Sequence, residues 1–137
     1  MRTIQTLRSI KTIMLVTLTS LALACGYSSK TTPPVAGSVP AISQLSPASM
    51  KAGSATFTLT VNGTNFGGRA MVNWNGSAQT TTVISPNQLT VAVPALAVAA
   101  SGTVAITVTN PATAGTGLYG SGGTTAETSS PMSFTIN

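Results

Sequence analysis

The chain has 137 residues, enough for one domain beyond a targeting segment, and only 5% of them are charged, where soluble domains usually have about 25%. After Ala24 the charged residues are Lys30, Lys51, Arg69 and Glu127, a net charge of 3 − 1 = +2. Three scattered cations cannot form the basic stripe that phosphate binding requires, so we exclude a nucleic-acid partner. The chain has no His, no Asp and a single Cys, which excludes most catalytic and metal-binding arrangements.

The first 24 residues have the organisation of an export signal. Met1–Lys11 is basic, and Thr12–Ala24 is apolar. The apolar part is too short for a membrane-spanning helix, which needs about 20 residues. A short apolar core after a basic start, ending in small residues, is typical of a cleaved signal peptide. We therefore predict a signal peptide over residues 1–24.

The lone cysteine comes directly after this segment, in Leu21-Ala-Leu-Ala-Cys25. This stretch resembles the lipobox of bacterial lipoproteins, although Ala22 stands where such boxes usually carry Leu. The resemblance implies that Cys25 is acylated and anchors the chain in a membrane. Gly26 follows instead of the Asp that retains lipoproteins in the inner membrane, so we expect the outer membrane. The alternative is a secreted or periplasmic protein with an incidental Cys25.

Residues 25–39 are predicted to be the lipidated cysteine and a flexible tether. The stretch Tyr27–Pro40 is rich in Ser, Thr and Pro and has no usable apolar period. Such a composition cannot bury a core, so the segment should stay extended, with a reach of roughly 40 Å. It would hold a folded module away from the bilayer.

The remaining chain, residues 40–137, reads as an all-β domain. Seven short runs alternate apolar and polar residues, which predicts a two-sheet, immunoglobulin-like β-sandwich of about seven strands. These runs are Ala41–Leu45, Ala55–Asn62, Ala70–Asn75, Thr80–Ile84, Gln88–Val93, Thr103–Thr109 and Met132–Ile136. With one Cys, an inter-sheet disulfide is impossible. Ala95–Ala100 has helical propensity but is too short for more than a turn.

The stretch Val61–Gly76 is predicted to cross from one sheet to the other. Phe66 and Trp74 should anchor the core, since Trp74 shares strand parity with Val72. The glycines at 63, 67 and 68 should allow the reversal between the strands. On the run Ala70–Asn75, Ala70 should face inward with Trp74.

The two Asn-Gly sequences, Asn62-Gly-Thr64 and Asn75-Gly-Ser77, are interpreted as turns. On the run Ala55–Asn62, the side chains of Ala55, Phe57 and Leu59 should share the inward face with Val61.

Four stretches in this order resemble the IPT/TIG domain family, namely Pro40–Pro47, Leu59–Phe66, Val72–Gly76 and Gln88–Pro94. The resemblance covers residues 40–137 and implies an immunoglobulin-like fold, as found in plexins, transcription factors and many bacterial surface proteins. Residues 111–131 depart from the family, because this loop is longer and richer in Gly, Thr and Ser than its usual last hairpin. Family members differ in function, so the fold alone names no partner.

The sequence predicts no catalytic, cofactor or metal site. The stretch Gly115–Gly120 fits G-x-G-x-x-G, but no helix follows it and Glu127 is too close to serve as the ribose ligand. A Ser–Lys dyad would need Lys30 or Lys51 in a buried segment, and the sequence predicts neither lysine to lie in one. Tyr119 lies in a polar loop, where binding residues often occur, and is our candidate for partner contact against the simpler reading of a solvated loop residue.

We therefore expect a lipid-anchored bacterial surface protein that is not an enzyme. Its one domain would serve protein interaction or act as a spacer, with an unknown surface protein or glycan as partner. The alternative is a surface glycan-binding module accessory to carbohydrate capture. A small hydrolase, the third hypothesis, would depend on the Ser–Lys pairs just set aside.

Overall fold

Two β-sheets pack face to face in the part of the chain that the structure, a computed structural model, describes, which is residues 33–115 and 122–137. The strands, numbered in chain order, are β1 (Ala41–Ser46), β2 (Ser49–Met50), β3 (Phe57–Thr64), β4 (Met71–Trp74), β5 (Ser77–Ala78), β6 (Thr81–Ser85), β7 (Gln88–Val93), β8 (Gly102–Asn110), β9 (Glu127–Thr128) and β10 (Met132–Ile136). One turn of 3₁₀-helix, Ala95–Val98, follows β7.

The first sheet has four strands in the order β1-β3-β7-β6, and all its neighbours are antiparallel. The second has the order β2-β10-β8-β4-β5, with β9 paired to β8. In the second sheet only the short pair β2 and β10 is parallel. This arrangement confirms the predicted all-β, immunoglobulin-like sandwich.

The core lies between the sheets and is built from every second residue of the longer strands, because successive side chains point to opposite faces. Leu59 and Leu89 enter from the first sheet and Ile106 from the second, all with 0% exposure. The Phe134 ring lies 5.9 Å from that of Phe57 and 5.2 Å from that of Trp74, measured between centroids. These contacts confirm that Trp74 belongs to the core.

The seven predicted runs correspond to the seven strands longer than two residues, with end points that agree to within two positions. The two-residue strands β2, β5 and β9 were not predicted, because a period of two cannot be recognised over two residues. Ala55, predicted to face inward, is exposed and precedes β3, since the alternating pattern extends further than the strand pairing. The predicted turn after Pro94 is confirmed as the 3₁₀ turn.

The stretch Val61–Gly76 does cross between the sheets, since β3 belongs to the first and β4 to the second. Phe66 is buried on the way. The predicted role of the glycines is wrong, because the left-handed backbone lies at Asn65, with φ 60°, and not at positions 63, 67 or 68. Gly63 is needed for a different reason: a Cβ there would clash with the carbonyl oxygen of Ala41 on the neighbouring strand.

The two Asn-Gly sequences behave differently. Asn75 and Gly76, with φ 49° and 84°, form the two-residue loop that joins Trp74 to its partner Ser77. Positive φ at both positions is the requirement of a type I′ hairpin, so that turn is confirmed. Asn62-Gly-Thr64 lies within β3, and its interpretation as a turn is wrong, because pairing with β1 carries the strand through it.

Candidate functional site

The segment that leads into β1 is bound to the end of the sandwich. We call residues 35–39 the N-terminal strap. The Val35 amide donates to the Gly123 carbonyl at 2.9 Å, and the Thr125 amide donates to the Val35 carbonyl at 3.0 Å. Val35 and Thr124 thereby form a parallel β-bridge between the strap and the loop that follows β8.

Asn110, the last residue of β8, connects three segments at this end. Its Oδ1 accepts the Gly67 amide, and its Nδ2 donates to the carbonyls of Ser38 and Asn65, all at 2.8 Å. The Asn65 Nδ2 also donates to the Val39 carbonyl at 3.2 Å. Because one amide offers both donors and acceptor, a single side chain joins the strap, the β3–β4 connection and β8.

The strap therefore differs from the flexible tether predicted over residues 25–39. Gly37 is packed closely, since a Cβ at that position would lie 2.6 Å from the Thr125 carbonyl oxygen. The composition of the strap did not reveal this docking, because the strap contributes only main-chain groups to these hydrogen bonds and every residue has such groups. Residues 35–39 lie on the domain instead of extending away from it.

A cleft of about 360 Å³ opens at this end of the sandwich. It is bounded by the strap, the β3–β4 connection and the loop after β8. Its wall includes Gly37, Gly68, Pro111, Thr124 and, as the charged side chain among the described lining residues, Arg69. Polar side chains there are already engaged: the Thr113 and Thr124 hydroxyls lie 2.9 Å apart, and the Asn110 amide makes the main-chain contacts described above. The cleft offers contact surface and one cation rather than a nucleophile beside a base.

The sequence-derived candidates are placed as follows. Cys25 and Tyr119 lie outside the described residues, as does most of the G-x-G-x-x-G stretch. Lys51 is exposed, so it does not lie in the buried segment that a Ser–Lys dyad would need. Asn110 and Asn65 were missed, and an Asn-Pro at a strand end signals a turn without indicating which segments its side chain joins.

Over residues 33–115 and 122–137, no three residues of the types His, Cys, Asp and Glu are grouped where a metal ion could be held. Over the same residues, no helix has both the length and the apolar character to cross a bilayer.

No curated protein matches this sequence. The family model of the IPT/TIG domain matches residues 40–136, the same region that forms the sandwich. Domains of this family are immunoglobulin-like interaction and structural modules without catalytic activity. Because this match covers more than half of the chain, the chain belongs to the IPT/TIG domain family.

Proposed function

We propose that the protein is a non-catalytic cell-surface lipoprotein of bacteria that presents one IPT/TIG domain for protein interaction or as a structural spacer. Residues 1–24 would direct export, and acylated Cys25 would anchor the chain. The observation that carries the proposal is the position of Cys25, directly after the export segment and 35 − 25 = 10 positions before Val35, where the chain docks on the domain. Gly26 after the cysteine favours the outer membrane.

The strap would limit the distance between this anchor and the domain. Because Val35 is bound to the domain, the chain between Cys25 and Val35 spans at most about 30 Å, at about 3.1 Å per extended residue. The strap end of the sandwich would face the membrane, and the 3₁₀ turn after β7 would point away from it. The domain would then be held close to the bilayer instead of at the end of a long tether.

Protein interaction or spacing takes precedence over glycan binding in this proposal. Trp74, the side chain best suited to stack on a sugar ring, is only 8% exposed and contacts Phe134. A glycan would need another aromatic platform, and the sequence candidate for partner contact is Tyr119.

The anchor is tested by metabolic labelling with palmitate and fractionation of the cell envelope. We expect the wild-type chain to be labelled and to remain in the membrane fraction, and Cys25→Ala to lose the label and leave the membrane. Ser28→Ala, three residues beyond, is the matched control and should behave as the wild type. An unlabelled wild-type chain in the medium would contradict the proposal.

A further inference from the structure

The strand β6 forms an edge of the first sheet that is poorly protected against further pairing. Within residues 33–115 and 122–137 it pairs on one side only, with β7. Three of the other terminal strands, β2, β5 and β9, have only two residues each, which is a common protection of sheet edges. The edge strand β1 lies between two prolines, Pro40 and Pro47, whereas β6 is followed by one, Pro86. A longer strand with one free side presents unpaired N–H and C=O groups to solvent.

This edge also has no charged side chain that would oppose pairing with another strand. The sequence contains no charged residue between Arg69 and Glu127, so β6 and both its flanks are neutral. Natural edge strands often carry a lysine or another charge that repels an approaching strand. At β6 the exposed side chains are instead Thr82 and Ile84, the latter with 56% exposure.

The outer face of the sheet has a regular row of hydroxyl groups that ends at this edge. Cross-strand pairing aligns one residue from each of the four strands, in the order Ser46, Thr60, Thr90 and Thr82. Thr82 is the exposed last member of the row. A second strand added beside it with a threonine opposite would continue the row, and Thr–Thr pairs are favourable across antiparallel strands.

We propose that β6 pairs with β6 of a second copy of this chain, antiparallel and with the two-fold axis at Thr82. This interface goes beyond the proposed anchor and presentation function. Thr82 lies opposite the Thr82 of the second copy, Thr81 lies opposite Val83, and the two four-stranded sheets become one of eight strands. The irregular pairing with β7 begins after Val83, at the end of this central stretch of Thr81 to Val83. Because the same strand is used on both copies, the assembly closes as a dimer.

A second copy fits this edge because the strand is neutral and self-complementary. An approach about a two-fold axis brings each group against its own equivalent, which a charged edge would oppose and a neutral one permits. The exposed Ile84 of each copy lies at the margin of the paired stretch.

The test is sedimentation equilibrium of the full chain in detergent, with charges introduced at the axis. Thr82→Lys sets two ammonium groups against each other, and we expect it to weaken the dimer at least about tenfold, since like charges directly opposite are unfavourable. Thr82→Glu should do the same. A mixture of the Thr82→Lys and Thr82→Glu chains should restore the dimer as a heterodimer. Thr58→Lys, on the exposed face of the interior strand β3, is the control and should leave the dimer unchanged.

Disulfide cross-linking gives a second measurement in case the charged Thr82 variants fold poorly. In a Cys25→Ser background, Thr82→Cys should form an intermolecular disulfide, because Cα atoms opposite each other in an antiparallel pair are about 4.5–5.5 Å apart. Thr58→Cys should not. A wild-type chain that stays monomeric up to about 1 mM, a concentration at which even weak pairing is populated, would overturn the proposal. The proposal would also be overturned if Thr82→Lys did not weaken the dimer, or if the mixture of Thr82→Lys and Thr82→Glu chains did not form a heterodimer. None of these outcomes depends on the lipid anchor.

Discussion

The centre of the sandwich and its strap end are held together by different interactions. At the centre, Phe134 packs between Phe57 and Trp74, and the surrounding residues are apolar and almost fully buried. At the strap end, the amide of Asn110 and the main chain of Val35 carry the contacts. Apolar burial is distributed over many side chains, whereas the strap depends on a few polar groups. The strap should therefore open locally while the centre remains folded.

The largest expected effect is at the centre. Trp74→Ala removes a ring that contacts Phe134, and truncation of a large buried aromatic costs about 3–5 kcal/mol of unfolding free energy. We expect most of the stability of the domain to be lost, as measured by urea unfolding with fluorescence or circular dichroism. Trp74→Phe, which retains an aromatic ring, should cost clearly less. Unchanged melting in Trp74→Ala would mean that the side chain is not part of the core.

A smaller effect is expected at the junction of the strap. Asn110→Ala removes three hydrogen bonds and leaves the Gly67 amide without its acceptor, a loss of about 1–3 kcal/mol. Hydrogen exchange should accelerate at the Gly67 amide far more than at amides of β3. Asn110→Asp keeps the acceptor and loses both donors, so Gly67 should stay protected while the strap loosens. Equal acceleration in both places would show that the two regions unfold as one unit.

The smallest effect should come from a single main-chain bond of the strap. Val35→Pro removes the amide that donates to Gly123, which should cost about 0.5–1.5 kcal/mol. The change should appear as faster proteolysis before β1, with little shift in the global unfolding midpoint. Ala36→Pro is the matched control, because the Ala36 amide donates to no main-chain oxygen in the described part of the chain. If both variants are cleaved alike, the bridge between Val35 and Thr124 does not hold the strap.

The same contrast explains which features could be predicted. The alternation of Leu59 and Val61 with threonines appears in the sequence because strand geometry repeats every two residues. Asn110 has no such signature, because its three partners come from segments 43 to 72 positions away in the chain. The same holds for Gly63, whose small size is required by Ala41 on a neighbouring strand.

Edge position is likewise a property of the assembled sheet. Both β3 and β6 are predicted as strands from the sequence, although the run Thr80–Ile84 alternates less clearly than Ala55–Asn62. Only strand order makes β3 an interior strand with Leu59 and Val61 at 0% exposure and leaves β6 free on one side. Low charge along the chain was visible in the sequence, but its consequence for pairing depends on where β6 lies.

The sequence by itself determined the fold class, the inward faces of the main strands and the passage of Val61–Gly76 from one sheet to the other. These follow from local periodicity and from the burial of apolar side chains, which act residue by residue along the chain. Only the tertiary structure decided that residues 35–39 dock on the domain, that Asn65 rather than a glycine takes the left-handed conformation, and that β6 is an open edge. Each of these depends on hydrogen bonds or contacts between distant segments, whose pairing the folded sandwich alone establishes.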